Sequence, residues 1–204
     1  MIQRTTRALT LIIIATLALL SGNLHAKSFR YVIIDPGHGG RDRGGHSGKV
    51  YEKHLALDTA LRLEHYLKNR GIRTKITRRS DIFISLPGRA AFGNKYSKSI
   101  FVSIHYNHSW KRDPHGLETF YYSSEGKKLA TFVQNGMMGK VRTINRGVKH
   151  ARFYVLRHSK HPAILVECGF VSNSKERSRM KQAWFRQSLA EGIGEGIIKY
   201  KKSW

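Results

Sequence analysis

Three short stretches of this chain are continuously or almost continuously apolar, and each runs into residues that carry chemistry. Tyr31-Val32-Ile33-Ile34 exits into Asp35-Pro36-Gly37-His38-Gly39-Gly40, Ile100–Ile104 into His105-Tyr106-Asn107, and Ala163-Ile164-Leu165-Val166 into Glu167-Cys168-Gly169-Phe170. Such runs, bounded by turn residues, fit strands covered on both faces, as in a parallel sheet. Helical patterns lie between them. From Glu52 to Arg70, residues Ala56, Ala60, Leu63 and Leu67 recur at helical spacing, and Gly71 supplies a left-handed stop. Ile72, Thr74 and Ile76 then alternate with Arg73 and Lys75, as in a half-exposed strand. Further helices are expected over about 86–96 and about 125–141, the latter capped by Ser123 or Ser124. A last helical region begins at Ser174, where Leu189, Ile193 and Ile197 share a face but Gly192, Gly194 and Gly196 weaken the pattern. Leu117–Tyr122 and Phe153–Leu156 read as additional strands. With no repeat and no linker after residue 27, the alternation predicts one α/β domain, a mostly parallel sheet flanked by helices.

Ligands of open parallel sheets gather outside the carboxyl ends of the strands. If the three apolar strands are parallel neighbours, His38, His105 and Glu167 meet on one rim. Glu52, opening the first long helix, can fold back over that rim because a glycine-rich loop joins it to His38. Two histidines with a carboxylate are a common protein ligand set for a catalytic zinc, which brings the pKa of water down to about 7. A second carboxylate, off the metal, is then needed to take the proton from the attacking water and return it to the leaving amine. The chain offers one Glu for each role, so the residues point to metal-assisted hydrolysis. Glu167 stands out because an idle carboxylate after an apolar run is costly to desolvate.

Most other candidates read as ordinary. Of the 11 histidines, His46, His54, His65, His115, His150, His158 and His161 are expected to be solvated or lightly packed, and His108 to sit in a loop. Cys168 is the only cysteine, so no intramolecular disulfide forms, and the thiol reads as core rather than metal ligand. A phosphate-binding loop is excluded: Arg43 stands where a Walker A pattern needs Gly, Val50 follows Lys49, and Asp42 breaks a dinucleotide fingerprint.

Charge narrows the setting. The chain carries 37 Lys and Arg against 13 Asp and Glu, a formal +24, which by composition alone suggests nucleic acid. The amino terminus argues otherwise. Arg4 and Arg7 precede a 13-residue, mostly apolar run from Ala8 to Leu20, followed by Ser21-Gly22-Asn23-Leu24-His25-Ala26. That pattern reads as a secretory signal over residues 1–26, the run being shorter than the roughly 18 apolar residues of a spanning helix. Leu24 fits the usual small-residue requirement poorly, which keeps an uncleaved anchor as the alternative. Removing residues 1–26 takes away two Arg and no acid, leaving 178 residues at +22. An exported basic protein is expected to meet a surface polymer, not chromosomal DNA.

At these residues the chain resembles the zinc-dependent N-acetylmuramoyl-L-alanine amidases of bacterial cell-wall turnover, of the amidase-3 type. The matching stretches are Ile34–Gly40, Glu52, Thr77-Arg78 with Asp81, Leu86 and Arg89, Ser103–Asn107, Gly116–Tyr121, Asn145–Lys149, Phe153–Leu156 and Pro162–Asn173. The resemblance implies a catalytic domain over 27–204 in which His38, Glu52 and His105 bind one zinc ion per chain and Glu167 is the general base and acid. It further implies hydrolysis of the amide between N-acetylmuramic acid and L-alanine of the peptidoglycan stem, in the periplasm or at the wall. Asn107 either orients substrate or closes a turn. Some relatives carry a helical insertion that covers the zinc until an activator displaces it. Only 61 residues separate His105 from Glu167 here, so no such lid and no obligate activator are expected. No added wall-binding or partner-binding domain is expected either, and the basic surface is a candidate for holding anionic wall polymers. Two alternatives stand beside this reading: a zinc peptidase cutting another bond of the stem, and a basic binding protein for an anionic polymer.

Overall fold

The computed structural model describes residues 29–203, and the expected signal segment lies outside them. The strands are β1 (Tyr31–Pro36), β2 (His46–Ser47), β3 (Val50–Tyr51), β4 (Arg73–Ile76), β5 (Ser99–Asn107), β6 (Leu117–Tyr121), β7 (Asn145–His150) and β8 (Ala163–Phe170). The helices are α1 (Glu52–Lys68), α2 (Leu86–Asn94), α3 (Ser124–Met138), α4 (Tyr154–Arg157), α5 (Ser174–Met180) and α6 (Ala183–Lys202). Six strands form one sheet in the order β4-β1-β5-β8-β6-β7, while β2 and β3 make a small hairpin before α1. β4, β1, β5 and β8 run parallel; β6 is antiparallel to β8 and parallel to β7. The single α/β domain with a mostly parallel sheet is therefore as expected, with the three apolar strands side by side in its centre.

The sheet divides the molecule into a thick and a thin layer. Strand side chains alternate between faces. Val32, Ile34, Ile100, Val102, Ile104, Ile164 and Val166 pack in the large core under α1, α3 and α6. Ile33, Phe101, Ala163 and Leu165 point the other way, against Val155 and Leu156 of α4 and Phe92 of α2. By the same parity Asp35, Ser103, His105, Asn107 and Glu167 all face the thin layer.

One expectation is corrected. Phe153–Leu156 is not a strand: Tyr154–Arg157 forms a single helical turn that buries Val155 and Leu156 on the sheet. A four-residue apolar run carries no period long enough to tell the two apart. The edge strand is instead Asn145–His150, too polar to read as a strand. The glycines of the last helix also acquire a reason. A Cβ on Gly136 of α3 would come 2.1 Å from the Gly192 carbonyl, and one on Gly196 of α6 would come 2.5 Å from the Phe132 carbonyl. These glycines let the two helices approach backbone to backbone, while Leu189, Ile193 and Ile197 remain in the core. Among the described residues no helix is long and apolar enough to cross a membrane.

Candidate active site and metal centre

β1 leaves the sheet into a tight loop, where His38 has φ 58°, a left-handed conformation that a side chain rarely adopts. Two buried arginines hold this loop in place. Arg89 of α2 donates to Asp35 Oδ1 at 2.8 Å, the Pro36 carbonyl at 2.6 Å and the His38 carbonyl at 2.5 Å. Arg78 donates to the carbonyls of Pro36 at 3.1 Å, Gly37 at 2.7 Å and Lys53 at 2.9 Å. Burial and the nearby Arg89 lower the Arg78 pKa to about 10, which still leaves it charged at neutral pH. Asp35 also accepts from Thr77 Oγ1 at 2.7 Å and Ser103 Oγ at 2.8 Å. The backbone carbonyls around His38 thus have charged donors, which is why a strained loop persists.

Glu52 is the first residue of α1, so its side chain turns back from the helix start over the sheet. Its Oε1 lies 2.8 Å from His105 Nδ1 and 3.1 Å from His38 Nε2, and accepts from the Tyr106 amide at 3.0 Å. Its Oε2 accepts from the Gly45 amide at 2.7 Å. One ligand atom each from His38, Glu52 and His105 can be chosen so that all lie within 4.8 Å of one another, the one such group among the described residues. Glycine makes the gathering possible: a Cβ on Gly37 would sit 2.4 Å from the His105 ring, and one on Gly44 2.6 Å from Glu52 Oε2.

Asp42, four residues beyond His38, was not singled out by sequence. Its Oδ2 lies 2.8 Å from His38 Nδ1, which leaves Nε2 turned toward the cluster. Burial pulls the His38 pKa down, but Glu52 and Asp42 outweigh it and the net shift is upward. Burial pushes Glu52 up, but His105 and His38 outweigh it and hold the carboxylate well below its usual range. A fully ionised carboxylate with two imidazole nitrogens is a donor set that suits zinc. The residues fit the metal.

Glu167 is the register partner of His105 across β5 and β8. Both line a cleft of about 360 Å³, together with the apolar side chains of Phe83, Leu86, Phe153 and Tyr154. Glu167 Oε2 is buried and has no hydrogen-bond partner. Burial, then the charges of Glu52 and Glu118, raise its pKa well above the usual carboxylate range. A cleft carboxylate with one buried, unpaired oxygen and a raised pKa suits proton transfer. Asn107 lines the same cleft, but its Nδ2 donates to Glu118 Oε1 at 2.8 Å and its Oδ1 accepts from the His108 amide at 2.8 Å. The side chain therefore closes a local turn and tethers Glu118 as well.

The remaining histidines lie outside the cluster. His54 Nε2 is 3.5 Å from Asp81, and burial together with Lys160 lowers the His161 pKa. His108 lies in the loop after β5 and lines the cleft edge. Cys168 is buried in the thick layer, on the opposite face from Glu167.

Comparison with known proteins accords with this geometry. The family profile described as N-acetylmuramoyl-L-alanine amidase matches residues 32–199. The chain is 35% identical over 173 residues to the N-acetylmuramoyl-L-alanine amidase LytC of Bacillus subtilis, covering 83% of this chain but 35% of LytC. Among solved structures, an N-acetylmuramoyl-L-alanine amidase from Clostridium difficile 630 matches with a TM-score of 0.83 at 38% identity, covering 86% of this chain and 98% of that one. The CwlD amidase of Clostridioides difficile, solved in complex with the GerS lipoprotein, matches with a TM-score of 0.82 at 29% identity, covering 85% and 99%. With the fold, the His-Glu-His cluster and a profile that spans the described domain from β1 into α6, this chain belongs to the amidase-3 family of N-acetylmuramoyl-L-alanine amidases.

Proposed function

We propose that the protein hydrolyses the amide between the lactyl group of N-acetylmuramic acid and L-alanine of the peptidoglycan stem, with one zinc ion held by His38, Glu52 and His105. The observation that carries this is the convergence of those three donors in one cleft with Glu167, whose Oε2 is buried and unpaired. A zinc ion at the donors would polarise the scissile carbonyl, acidify a water molecule and offset the Glu52 charge, which adds to burial in raising the Glu167 pKa.

The protein's own groups do the rest. Glu167 takes a proton from the attacking water as the C–O bond forms. Burial keeps that proton from solvent, and the same oxygen delivers it to the alanine nitrogen as the C–N bond breaks. The apolar cleft walls limit competing water and raise the strength of these electrostatic contacts. Asp42 orients His38, while Arg78 and Arg89 fix the backbone that carries it.

The amidase reading fits export, with residues 1–26 as the signal segment and the periplasm or wall as the site of action. The +22 surface would then hold the enzyme near anionic wall polymers without specific readout, with no nucleic acid and no obligate activator involved. Between His105 and Glu167 the described chain forms β6, α3, β7 and α4.

Digestion of purified sacculi followed by mass analysis tests the reaction. Release of stem peptides beginning with L-alanine is expected; shortened peptides still attached to muramic acid would instead mean a peptidase. Glu167→Gln is expected to keep stoichiometric zinc and lose 10²- to 10⁴-fold in turnover, the usual contribution of general acid–base catalysis. Full turnover by that variant would remove Glu167 from its role.

A further inference from the structure

Glu118 sits directly across from Glu167 in the antiparallel β6–β8 pair, on the same thin-layer face. Its side chain is only 4% exposed, and its oxygens hold three side chains. Oε1 accepts from Asn107 Nδ2 at 2.8 Å; Oε2 accepts from Arg146 Nε at 2.9 Å and Lys149 Nζ at 2.5 Å. One buried carboxylate thus anchors two cations, leaving a net positive charge beside the cleft.

Both neighbouring ladders are irregular at this point. The β6–β7 register jumps between the Leu117↔Asn145 and Thr119↔Val148 pairs, and Gly147 within the jump has φ 77°. The β5–β8 register shifts between His105 and Asn107, opposite Gly169 at φ 111°. Irregularities of this kind re-aim side chains and gather beside active sites. Here the first aims Arg146 back at Glu118. Arg146 lies over the Phe170 ring, 5.0 Å from its centroid, and Phe170 is the register partner of Asn107. The guanidinium engages Glu118 through Nε alone. Among the described residues its two terminal nitrogens have no partner, and the side chain remains 32% exposed.

A guanidinium fixed on one edge by a buried carboxylate and on one face by a ring presents its other edge as a preformed carboxylate fork. We propose that Arg146, supported by Lys149 and held by Glu118, receives a carboxylate of the stem peptide; the assignment rests on the amidase reading above. The negative charge must come from the peptide side. The muramic acid half carries none once its lactyl carboxyl is tied up in the scissile amide. Arg146 is then a specificity-determining residue and Glu118 its positioning residue.

Two batches of un-crosslinked glycan strands, differing only in a free carboxylate or a carboxamide on the stem residue after alanine, test this. The wild-type zinc enzyme is expected to prefer the carboxylate by about tenfold or more in kcat/KM, chiefly through KM, as one charge-assisted contact implies. Arg146→Gln is expected to bring the two substrates within about twofold of each other. Lys149→Gln, which leaves the Arg146–Glu118 pair intact, is expected to weaken the preference by a smaller factor and serves if Arg146→Gln does not fold. Absence of a preference in the wild type, or an undiminished preference in a folded variant, overturns the proposal. A variant that slows both substrates equally makes Arg146 structural and overturns it too. A zinc-loaded wild type that releases stem peptide from neither batch sinks the amidase reading itself, which is a distinct outcome.

Discussion

Replacing Arg89 with methionine isolates the contribution of the buried pair beneath the active-site loop. The Arg89 and Asp35 side chains are 3% and 1% exposed and lie 2.8 Å apart. Removing one partner of such a pair costs about 3–5 kcal/mol, because the other charge stays buried. Asp35 would keep two hydroxyl donors, Thr77 and Ser103, which places the expected loss near the lower bound, about 3 kcal/mol. For a domain of this size that corresponds to a drop in Tm of about 6–12 °C. The site suffers as well, since the His38 carbonyl loses its charged donor while Pro36 retains Arg78. Weaker zinc binding should therefore accompany the thermal loss. Circular-dichroism melts of Arg89→Met, Asp35→Asn and the double variant measure the coupling, with zinc titration in parallel. The double variant is expected to recover at least about 1 kcal/mol relative to the sum of the single changes. A melt within 2 °C of wild type together with unchanged zinc affinity, for folded Arg89→Met, would refute the idea that this pair supports both fold and site.

Three further outcomes follow from other contacts. Asp42→Asn is expected to lower zinc affinity about 10- to 100-fold with little change in Tm, read by competition with a chelator, because it removes only the carboxylate that orients His38. Gly136→Ala should destabilise by about 1–3 kcal/mol or more from the clash with the Gly192 carbonyl, despite a better helix propensity; Gly139→Ala, with nothing nearer than 3.5 Å, should be neutral or stabilising in the same melts. Glu64 is held below its usual pKa: burial raises it, but Lys68 at 2.9 Å and Arg79 at 2.5 Å outweigh that. A depressed folded pKa adds stability above the unfolded value of about 4.3 and loses it as pH falls through the folded one. Tm of Glu64→Gln should accordingly fall less steeply than wild type below about pH 4, and parallel acid profiles would refute the assignment.

The parts of this protein legible in the sequence are those where one residue's environment is set by its immediate neighbours. His38, His105 and Glu167 could be placed because each follows an apolar strand, and strand ends share a rim in a parallel sheet. Glu52 followed because the intervening loop is rich in glycine. What stayed hidden depends on two distant segments meeting. Arg78 and Arg89 look like ordinary surface cations until β1 and α2 bury them around the Pro36–His38 carbonyls. Gly136, Gly192 and Gly196 look like helix breakers until α3 lies on α6. Strand parity carries one more relation: two residues on from Ile33 and from Leu165, Asp35 and Glu167 fall on the same face. β7 carried no signal at all, because an edge strand with one half-covered face needs little apolar character.

That edge strand and its counterpart have a bearing on how the chain survives before and after folding. β4 and β7 are the two ends of the six-stranded sheet, the positions at which another chain could pair with it. β4 is Arg-Thr-Lys-Ile and β7 is Asn-Arg-Gly-Val-Lys-His, so each carries two cationic side chains, those of β7 sharing the single carboxylate of Glu118. Two copies meeting edge to edge would bring those charges to within strand spacing of one another, and the irregular ladder at Gly147 bends β7 away from a flat template. Part of the basic excess thus discourages this sheet from growing into its neighbours, a protection that matters most where folding enzymes are crowded and unfolded.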